Sequence, residues 1–144
     1  MKFRSVVIYS LIAVFLAAVF IQAQGALEIR AASHTAVAGW QQMSTPGGEA
    51  VWVSTTAALT TADIARAEPR TDANGQRTVG MVFTADGARK MAQLSAAQTN
   101  RHIALLLDGK VVWVPIVRST IEKEAVLSGV TPEVVQRVLM SLKQ

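Results

Sequence analysis

Residues 102–117 have the sequence His-Ile-Ala-Leu-Leu-Leu-Asp-Gly-Lys-Val-Val-Trp-Val-Pro-Ile-Val, in which two apolar runs flank an Asp-Gly pair. A two-residue type I′ turn needs positive φ at both central positions, and Asp-Gly is one of the pairs that favour it. The pattern therefore predicts a β-hairpin that turns at Asp108 and Gly109. Pro115 lacks an N–H, so we expect it at an edge, at a bulge or at the end of the second strand.

Strand patterns also occur on both sides of this hairpin. Four segments are rich in β-formers or alternate between apolar and polar residues, and they are residues 27–31, 50–54, 76–83 and 125–127. Within the hairpin, simple alternation places Trp113 on one face of the second strand and Val112, Val114 and Ile116 on the other.

Three segments carry helix signals. Thr84 suits an N-cap and Asp86 suits the first turn, so a helix is expected from there to about Thr99. The final helix is predicted to begin at Thr131-Pro132, with Pro at the first helical position. Residues 59–67 are predicted as a short helix, capped by Thr60 or Thr61 and stopped before Pro69.

The order of these elements indicates the α+β class. Strands and helices follow one another as strand, strand, helix, strand, helix, strand, strand, strand, helix. This order favours a ferredoxin-like (split β-α-β), mostly antiparallel sheet with helices on one face.

The N-terminus has the pattern of a targeting segment. Lys2 and Arg4 precede an uncharged apolar stretch at 6–21, and Ala23-Gln24-Gly25 is a small-x-small end. We expect residues 1–25 to be a signal peptide or, if uncleaved, a membrane anchor, with inner-membrane association through residues 3–26. Both alternatives export residues 26–144 as one domain, because the basic end stays inside.

The composition excludes several classes of protein. Hydrophobic residues make up 51% of the 144 residues, which is too apolar for a disordered chain. There is no Cys, so disulfides and thiol chemistry are impossible. Lys2 and Arg4 lie in the targeting segment, and the other 12 basic and 10 acidic residues leave a net charge of only +2. The basic residues are scattered, so we predict no nucleic-acid partner.

Motifs for catalysis and metal binding are also missing. The only histidines are His34 and His102, so a multi-His metal site would need both; each is predicted as a surface or capping residue. No Gly-x-Ser-x-Gly occurs, and Gly47-Gly48 is not followed by the Lys-Ser/Thr of a phosphate-binding loop. We therefore assign no catalytic, cofactor-binding or metal-binding residue, expect no cofactor, and predict that the protein is not an enzyme.

Three segments, in order, resemble a known family. Leu59-Thr60-Thr61-Ala62-Asp63-Ile64 with Ala67 is similar to "LTxxDIxxA"; residues 82–91 resemble a strand that leads into a "GAxxF"-type helix; and residues 105–117 are similar to "AIVLDGKVxxAPxI". With Leu127-Ser128-Gly129 and a final helix, the set resembles the head subdomain of the first periplasmic domain of SecD/SecDF, the preprotein translocase accessory subunits. The resemblance is best over residues 49–129 and extends over 27–142.

The resemblance implies a ferredoxin-like domain at the periplasmic face of the inner membrane. In the family this subdomain contacts the translocating polypeptide and moves during the cycle, whereas proton coupling belongs to intramembrane acidic residues without a counterpart here. We therefore expect this chain not to be a complete translocase motor. It departs from the family pattern at 122–124, where Glu-Lys-Glu replaces a Gly-Gly turn, at Val114, which replaces a small residue, and at the bulky Trp113.

The function predicted is that of a non-enzymatic exported binding module, periplasmic or anchored in the inner membrane and facing the periplasm. Its partner would be a polypeptide or a membrane protein, the secretion translocon among them. The candidate partner-binding residues are Trp113, Val111, Pro115, Asp108 and Gly109. Trp113 is either a core residue or part of an exposed apolar surface. The alternatives are a self-associating structural envelope protein, in which Trp113 forms a homo-oligomer contact, and an envelope hydrolase.

Overall fold

The computed structural model describes residues 26–142, so the expected signal peptide or anchor at residues 1–25 lies outside the described part of the chain. The described residues form nine strands and two α-helices. In chain order they are β1 (Leu27–Ser33), β2 (Gln41–Ser44), β3 (Ala50–Val53), β4 (Leu59–Thr60), β5 (Ile64–Thr71), β6 (Arg77–Phe83), α1 (Ala85–Ala97), β7 (His102–Leu107), β8 (Lys110–Trp113), β9 (Glu124–Leu127) and α2 (Pro132–Ser141).

The strands form two sheets. The first has the order β2-β3-β1-β7-β8, with the short β4 paired to β1, and the second has the order β5-β6-β9. All neighbouring strands are antiparallel, which confirms the α+β class with mostly antiparallel sheets. The single ferredoxin-like sheet is not confirmed, because β6 and β7, which flank α1, belong to different sheets.

The hairpin at the centre of the sequence forms as predicted. Leu107 of β7 pairs with Lys110 of β8, and the two turn residues have positive φ, 51° at Asp108 and 77° at Gly109. Pro115 lies just past the end of β8, where a missing N–H costs no ladder hydrogen bond.

A β-bulge in β8 changes which face each side chain takes. Leu106 pairs with Val111, and the next pair is Leu105 with Trp113, so Val112 is an extra residue. Trp113 and Val112 therefore both pack on the core between the sheets, whereas Val111 and Val114 pack on the opposite face. The prediction that Trp113 and Val112 face opposite sides was wrong, because one inserted residue reverses the alternation.

The predicted helix over residues 59–67 was also wrong. Only Thr61–Asp63 forms a helical turn, of 3₁₀ type, and the chain then continues as β5. Pairing with β6, from Ile64 opposite Phe83 to Thr71 opposite Arg77, decides the conformation of this segment. Pro69 is tolerated because β5 is an edge strand, where one side of the backbone makes no ladder bonds.

Two apolar clusters hold the fold together. The larger lies between the sheets and the helices, and the buried side chains Leu27, Met81, Met91, Leu127 and Val138 belong to it. The smaller lies on the other face of the first sheet and consists of Ala32, Val51, Val53, Ala104, Leu106 and Val111. Strands β2 and β8, at the two ends of that sheet, contact each other, so the sheet curls around the smaller cluster.

Both α-helices begin at the predicted N-caps. The Thr84 hydroxyl accepts a hydrogen bond from the N–H of Gly87 (3.0 Å), and the Thr131 hydroxyl accepts one from Val134 (3.4 Å). Helix α1 packs on the Thr61–Asp63 turn and on β4 and β6, while α2 packs on β5 and β6.

Candidate functional site

A largely apolar cleft of 380 Å³ lies between the edge strands of the two sheets. One wall is the chain from Trp113 to Ile121, which leads out of β8, and the other is β9 with Ser128. Its floor consists of core side chains, namely Ile29, Met81, Met91, Ile103 and Leu105. The cleft therefore opens directly onto the larger apolar cluster.

Exposed apolar side chains line the rim of this cleft. Within residues 26–142 the large hydrophobic side chains exposed to solvent are Ile116 (43%), Val126 (45%) and Met140 (67%), and the first two lie at the cleft. Trp113 and Ile121, which are half-buried, also line it. Two exposed and two half-buried apolar side chains therefore meet at this cleft, whose walls also carry the charged Arg118 and Glu124.

Hydrogen bonds hold the wall of the cleft in place. The buried Ser95 hydroxyl on α1 donates to the carbonyl oxygen of Met91 (2.7 Å) and accepts a hydrogen bond from the backbone N–H of Ile121 (2.8 Å). This bond ties the segment between β8 and β9 to the helix. On the other wall, Glu124 accepts a hydrogen bond from Arg70 Nη2 (3.1 Å), and this bond and the Glu124 charge raise the pKa of Arg70.

The backbone of β9 adds a second feature. Among the described residues β9 pairs only with β6, so its other side is an open strand edge next to the cleft. Unpaired N–H and C=O groups on such an edge can pair with an added strand. The cleft thus combines apolar side chains with a backbone edge.

Groups with a shifted pKa do not gather in the cleft. Within the described part of the chain these groups are Asp63, Arg70 and His102, and none of them lines it. The same residues contain no group of three or more His, Cys, Asp or Glu side chains that could hold a metal ion.

The five predicted partner-binding residues lie at three different places in the structure. Trp113 and Pro115 line the cleft. Val111 is 5% exposed and belongs to the smaller apolar cluster on the opposite face. Asp108 and Gly109 form the hairpin tip, where the Asp108 N–H donates to the carbonyl oxygen of Ala26 (2.9 Å) and its Oδ1 accepts from the N–H of Ala26 (3.2 Å).

Among the cleft residues that were missed from the sequence are three large apolar ones at its rim. Ile116 lies near the end of the apolar run 110–117, Ile121 in the polar segment 118–124 and Val126 in β9, and nothing in a linear pattern says that they meet. Only Ile121 carries a signal, because it is the one apolar residue in the segment 118–124.

The two histidines, each predicted as a surface or capping residue, lie side by side. Their ring centroids are 4.4 Å apart with the ring planes perpendicular. Burial lowers the pKa of His102, and the neighbouring His34 lowers it further. Both histidines line a cavity separate from the cleft, although His102 is bridged to Ile116 and His34 also lines a further cavity beside Trp113.

Comparison with known proteins agrees with the fold and with the sequence resemblance. The family model described as "SecDF, P1 head subdomain" matches residues 35–144. The protein translocase subunit SecD of Acidaminococcus fermentans is 43% identical over 63 residues, which is 44% of this chain and 15% of that protein. The subunit SecDF of Thermus thermophilus is 34% identical over 74 residues, which is 51% of this chain and 10% of that protein.

Solved structures show the same fold. A structure of SecDF, described as a membrane component that enhances protein export, superposes with a TM-score of 0.63 at 22% identity, covering 82% of this chain and 61% of that chain. A crystal structure of SecDF in a super-membrane-facing form gives the same TM-score and identity and covers 82% of this chain and 18% of that one.

These matches define the class of the protein, which is that of a SecDF-type head subdomain. The chain belongs to the SecDF P1 head subdomain family, which confirms the resemblance carried by residues 59–67, 82–91 and 105–117. It spans only 15% and 10% of the length of the two translocase subunits just named. No helix within residues 26–142 is both long and apolar enough to cross a membrane.

Proposed function

We propose that this protein is a non-enzymatic, exported binding module that takes unfolded segments of polypeptides under translocation into the cleft between β8 and β9. The observation that carries the proposal is the apolar rim, where Ile116 and Val126 are exposed next to the half-buried Trp113. Membership of the SecDF P1 head family supports a role in protein translocation.

An extended chain suits both features of the site. Its backbone would add to the open edge of β9, and alternate side chains would enter the apolar cleft. Backbone pairing does not read sequence, so a module of this kind would accept many different segments. The proposal includes no chemical step and no cofactor.

The five predicted residues take two roles in this proposal. Trp113 and Pro115 would touch the bound polypeptide, since both line the cleft. Val111, Asp108 and Gly109 would act through the hairpin, because they fix the position of β8. Asp108 also lies 3.9 Å from Arg137 of α2, which links the hairpin tip to that helix.

The N-terminal sequence pattern supports one cellular arrangement. We infer that residues 1–25 export the chain as a signal peptide or as an inner-membrane anchor, and that residues 26–144 form the head-like domain in the periplasm. A position next to the secretion translocon would bring the cleft to emerging polypeptides.

Binding of an unfolded polypeptide tests the proposal. The probe is a reduced and alkylated, fluorescently labelled polypeptide, added to the full chain in detergent and followed by anisotropy. We expect Ile116→Asp and Val126→Asp to weaken binding by about 10-fold or more, because each places a charge at the apolar rim. Met140→Asp is the matched control, since Met140 is exposed on α2 and does not line the cleft. Equal affinity of all four proteins would contradict the proposal.

The same rim favours a second candidate, self-association through the cleft face. Two copies that cover each other's Ile116 and Val126 would bury the exposed apolar area. Light scattering over a range of concentrations distinguishes the two: self-association predicts a dimer that Trp113→Ser disrupts, and polypeptide binding predicts a monomer at all concentrations.

A further inference from the structure

The described part of the chain enters the domain at the tip of the β7–β8 hairpin. The Ala26 N–H donates to Oδ1 of Asp108 (3.2 Å), and the Ala26 carbonyl oxygen accepts a hydrogen bond from the Asp108 N–H (2.9 Å). Next along the chain, Leu27 pairs with Leu107, which in turn pairs with Lys110. The start of β1 and the hairpin tip therefore form one end of the first sheet.

Helix α2 runs towards this same end. Its N-cap, Thr131, lies beside the opposite end of β8, because it lines a cavity together with Val114. Further along the helix, Nη2 of Arg137 lies 3.9 Å from Oδ2 of Asp108. Met140, three residues after Arg137 and on the same side of the helix, is 67% exposed. The C-terminal half of α2 thus presents a basic and an apolar side chain next to the hairpin tip.

The charge around this end of the domain favours an anionic partner. Four acidic side chains lie at or near it, and each is in a salt bridge: Glu28 with Arg30, Asp63 with Lys90, Asp86 with Arg89 and Asp108 with Arg137. Lys110 is exposed and makes no salt bridge within residues 26–142, so it adds an uncompensated positive charge. Residues 134–144 contain Arg137 and Lys143 and no acidic residue. Lys110, Arg137 and Met140 are called the tip surface below.

The sequence before Ala26 restricts what the tip surface can face. In the anchor alternative the apolar stretch at 6–21 lies in the inner membrane, and only residues 22–25 separate it from Ala26. Four residues span at most about 14 Å even when fully extended. The end of the domain that carries Ala26 would then stay within reach of the bilayer surface.

We propose that the tip surface binds anionic phospholipids in the periplasmic leaflet of the inner membrane, with Lys110 and Arg137 at the phosphate groups and Met140 between the headgroups. The proposal rests on the anchor alternative within the proposed function. A contact between one basic side chain and an anionic membrane is weak. The short connection to the anchor holds the domain at a high effective concentration beside the lipid, so a few such contacts suffice to orient it.

This contact would direct the cleft away from the membrane. Ile116, at the cleft, is bridged to His102, the first residue of β7, whereas Leu107, the last residue of β7, lies at the hairpin tip. The five residue steps between His102 and Leu107 span about 17 Å along a strand. The domain would therefore hold the cleft towards the periplasm, clear of the headgroups.

Fluorescence quenching of the full chain in nanodiscs tests the proposal. The chain has no Cys, so Met140→Cys or Thr120→Cys allows one fluorophore to be attached, at the tip surface or beside the cleft wall. The probe is a phospholipid with a spin label on its headgroup, which quenches fluorophores at the membrane surface. In nanodiscs that contain phosphatidylglycerol, quenching at position 140 should exceed that at position 120 by about 5-fold. Phosphatidylcholine alone, or about 0.5 M NaCl, should reduce this difference.

Charge reversal separates the tip surface from a general attraction to the lipid. Lys110→Glu should lower quenching at position 140 to the level at position 120, because it replaces an attraction to the phosphates by a repulsion. Arg77→Glu is the matched control, since Arg77 is exposed at the other end of α2, beside Thr131 and Pro132. It makes the same change of charge and should leave the quenching unchanged.

The same variants keep this proposal apart from polypeptide binding. Lys110→Glu should bind the labelled polypeptide in detergent as tightly as the parent, and Ile116→Asp should leave the quenching at position 140 unchanged, so the loss of one effect alone identifies the proposal that fails. Lipid binding by the tip surface is overturned if the two labels are quenched equally in anionic nanodiscs, or if Lys110→Glu behaves like Arg77→Glu. A mass of the membrane-extracted chain that lacks residues 1–25 would also overturn it.

Discussion

The carbonyl oxygen of Asp63 lies against Gly87 of α1, so closely that a β-carbon built on Gly87 would be 2.1 Å from it. The same oxygen accepts hydrogen bonds from the backbone N–H (2.9 Å) and the hydroxyl (3.3 Å) of Thr84. The first turn of α1 is thereby fixed on the Thr61–Asp63 turn, and only glycine leaves room for this contact.

Gly87→Ala should therefore destabilise the protein, although alanine is the better helix former. We expect a loss of about 2–3 kcal/mol in the free energy of unfolding, because the backbone at Asp63 and helix α1 must move apart to admit the methyl group. Denaturant unfolding measures the loss. Gly47→Ala is the control: Gly47 has no positive φ, and the nearest heavy atom beyond its chain neighbours, Thr45 Oγ1, would be 3.9 Å from the new carbon, so stability should stay the same or rise slightly.

The Asp63 carboxylate should make stability depend on pH at the acidic end. Burial raises the pKa of Asp63, but the hydrogen bond from Lys90 (2.8 Å), the hydrogen bond from the Thr60 N–H (3.0 Å) and the Lys90 charge outweigh it, and the pKa lies below its usual 3.8. A pKa lowered by folding stabilises the native state above the unfolded-state value, and this stabilisation is lost as the pH falls through the folded-state value.

Unfolding free energies measured from pH 6 down to pH 2 check this prediction. Asp63→Asn should flatten the profile below about pH 4, since the amide does not titrate. Lys90→Met should flatten it in part, because it removes both the hydrogen bond and the charge that lower the pKa. An Asp63→Asn profile parallel to that of the parent over the whole range would show that this carboxylate does not contribute.

Local signals allowed the hairpin and both helix starts to be predicted. Asp108-Gly109, Thr84 and Thr131-Pro132 act through their own neighbours, so the sequence around them is sufficient. The segment 59–67 shows the limit of such signals. Its capping residues do make one helical turn at Thr61–Asp63, but pairing with β6 then extends the chain as β5.

Features that depend on distant contacts could not be predicted. Val111, Val112 and Trp113 are all good strand formers, so no residue marks the bulge that turns Trp113 towards the core between the sheets. The cleft arises because β8 and β9 are edges of different sheets, and a division into two sheets leaves no trace in the order of elements. His34 and His102 meet only through the pairing of β1 with β7.

Replacing Gly80 of β6 with alanine should destabilise the protein less than the same change at Gly87. A β-carbon on Gly80 would lie 2.5 Å from Nε of Arg70, which crosses over it to reach Glu124. The obstacle is the end of a flexible, exposed side chain, so Gly80→Ala should cost less than about 1 kcal/mol and displace Arg70 from Glu124.

A double-mutant cycle with Glu124→Gln measures that displacement. If Gly80→Ala moves the guanidinium away, Glu124→Gln should have a smaller effect in the Gly80→Ala background than in the parent. Additive effects would mean that Arg70 keeps its contact with Glu124. If Gly80→Ala lowered the free energy of unfolding as much as Gly87→Ala, strand β6 itself would have to move.

Trp113 should report directly on polypeptide binding, since its indole lines the cleft and is only half-buried. The chain has three tryptophans, so Trp40→Phe with Trp52→Phe leaves Trp113 as the sole emitter. Adding the unfolded polypeptide should shift its emission to shorter wavelength and reduce quenching by acrylamide, because the bound chain excludes water from the indole. The matched control keeps Trp52, which lies on β3 away from the cleft and should not respond. If anisotropy shows the polypeptide bound while Trp113 emission and quenching stay unchanged, the polypeptide binds elsewhere on the molecule and the cleft is not its site.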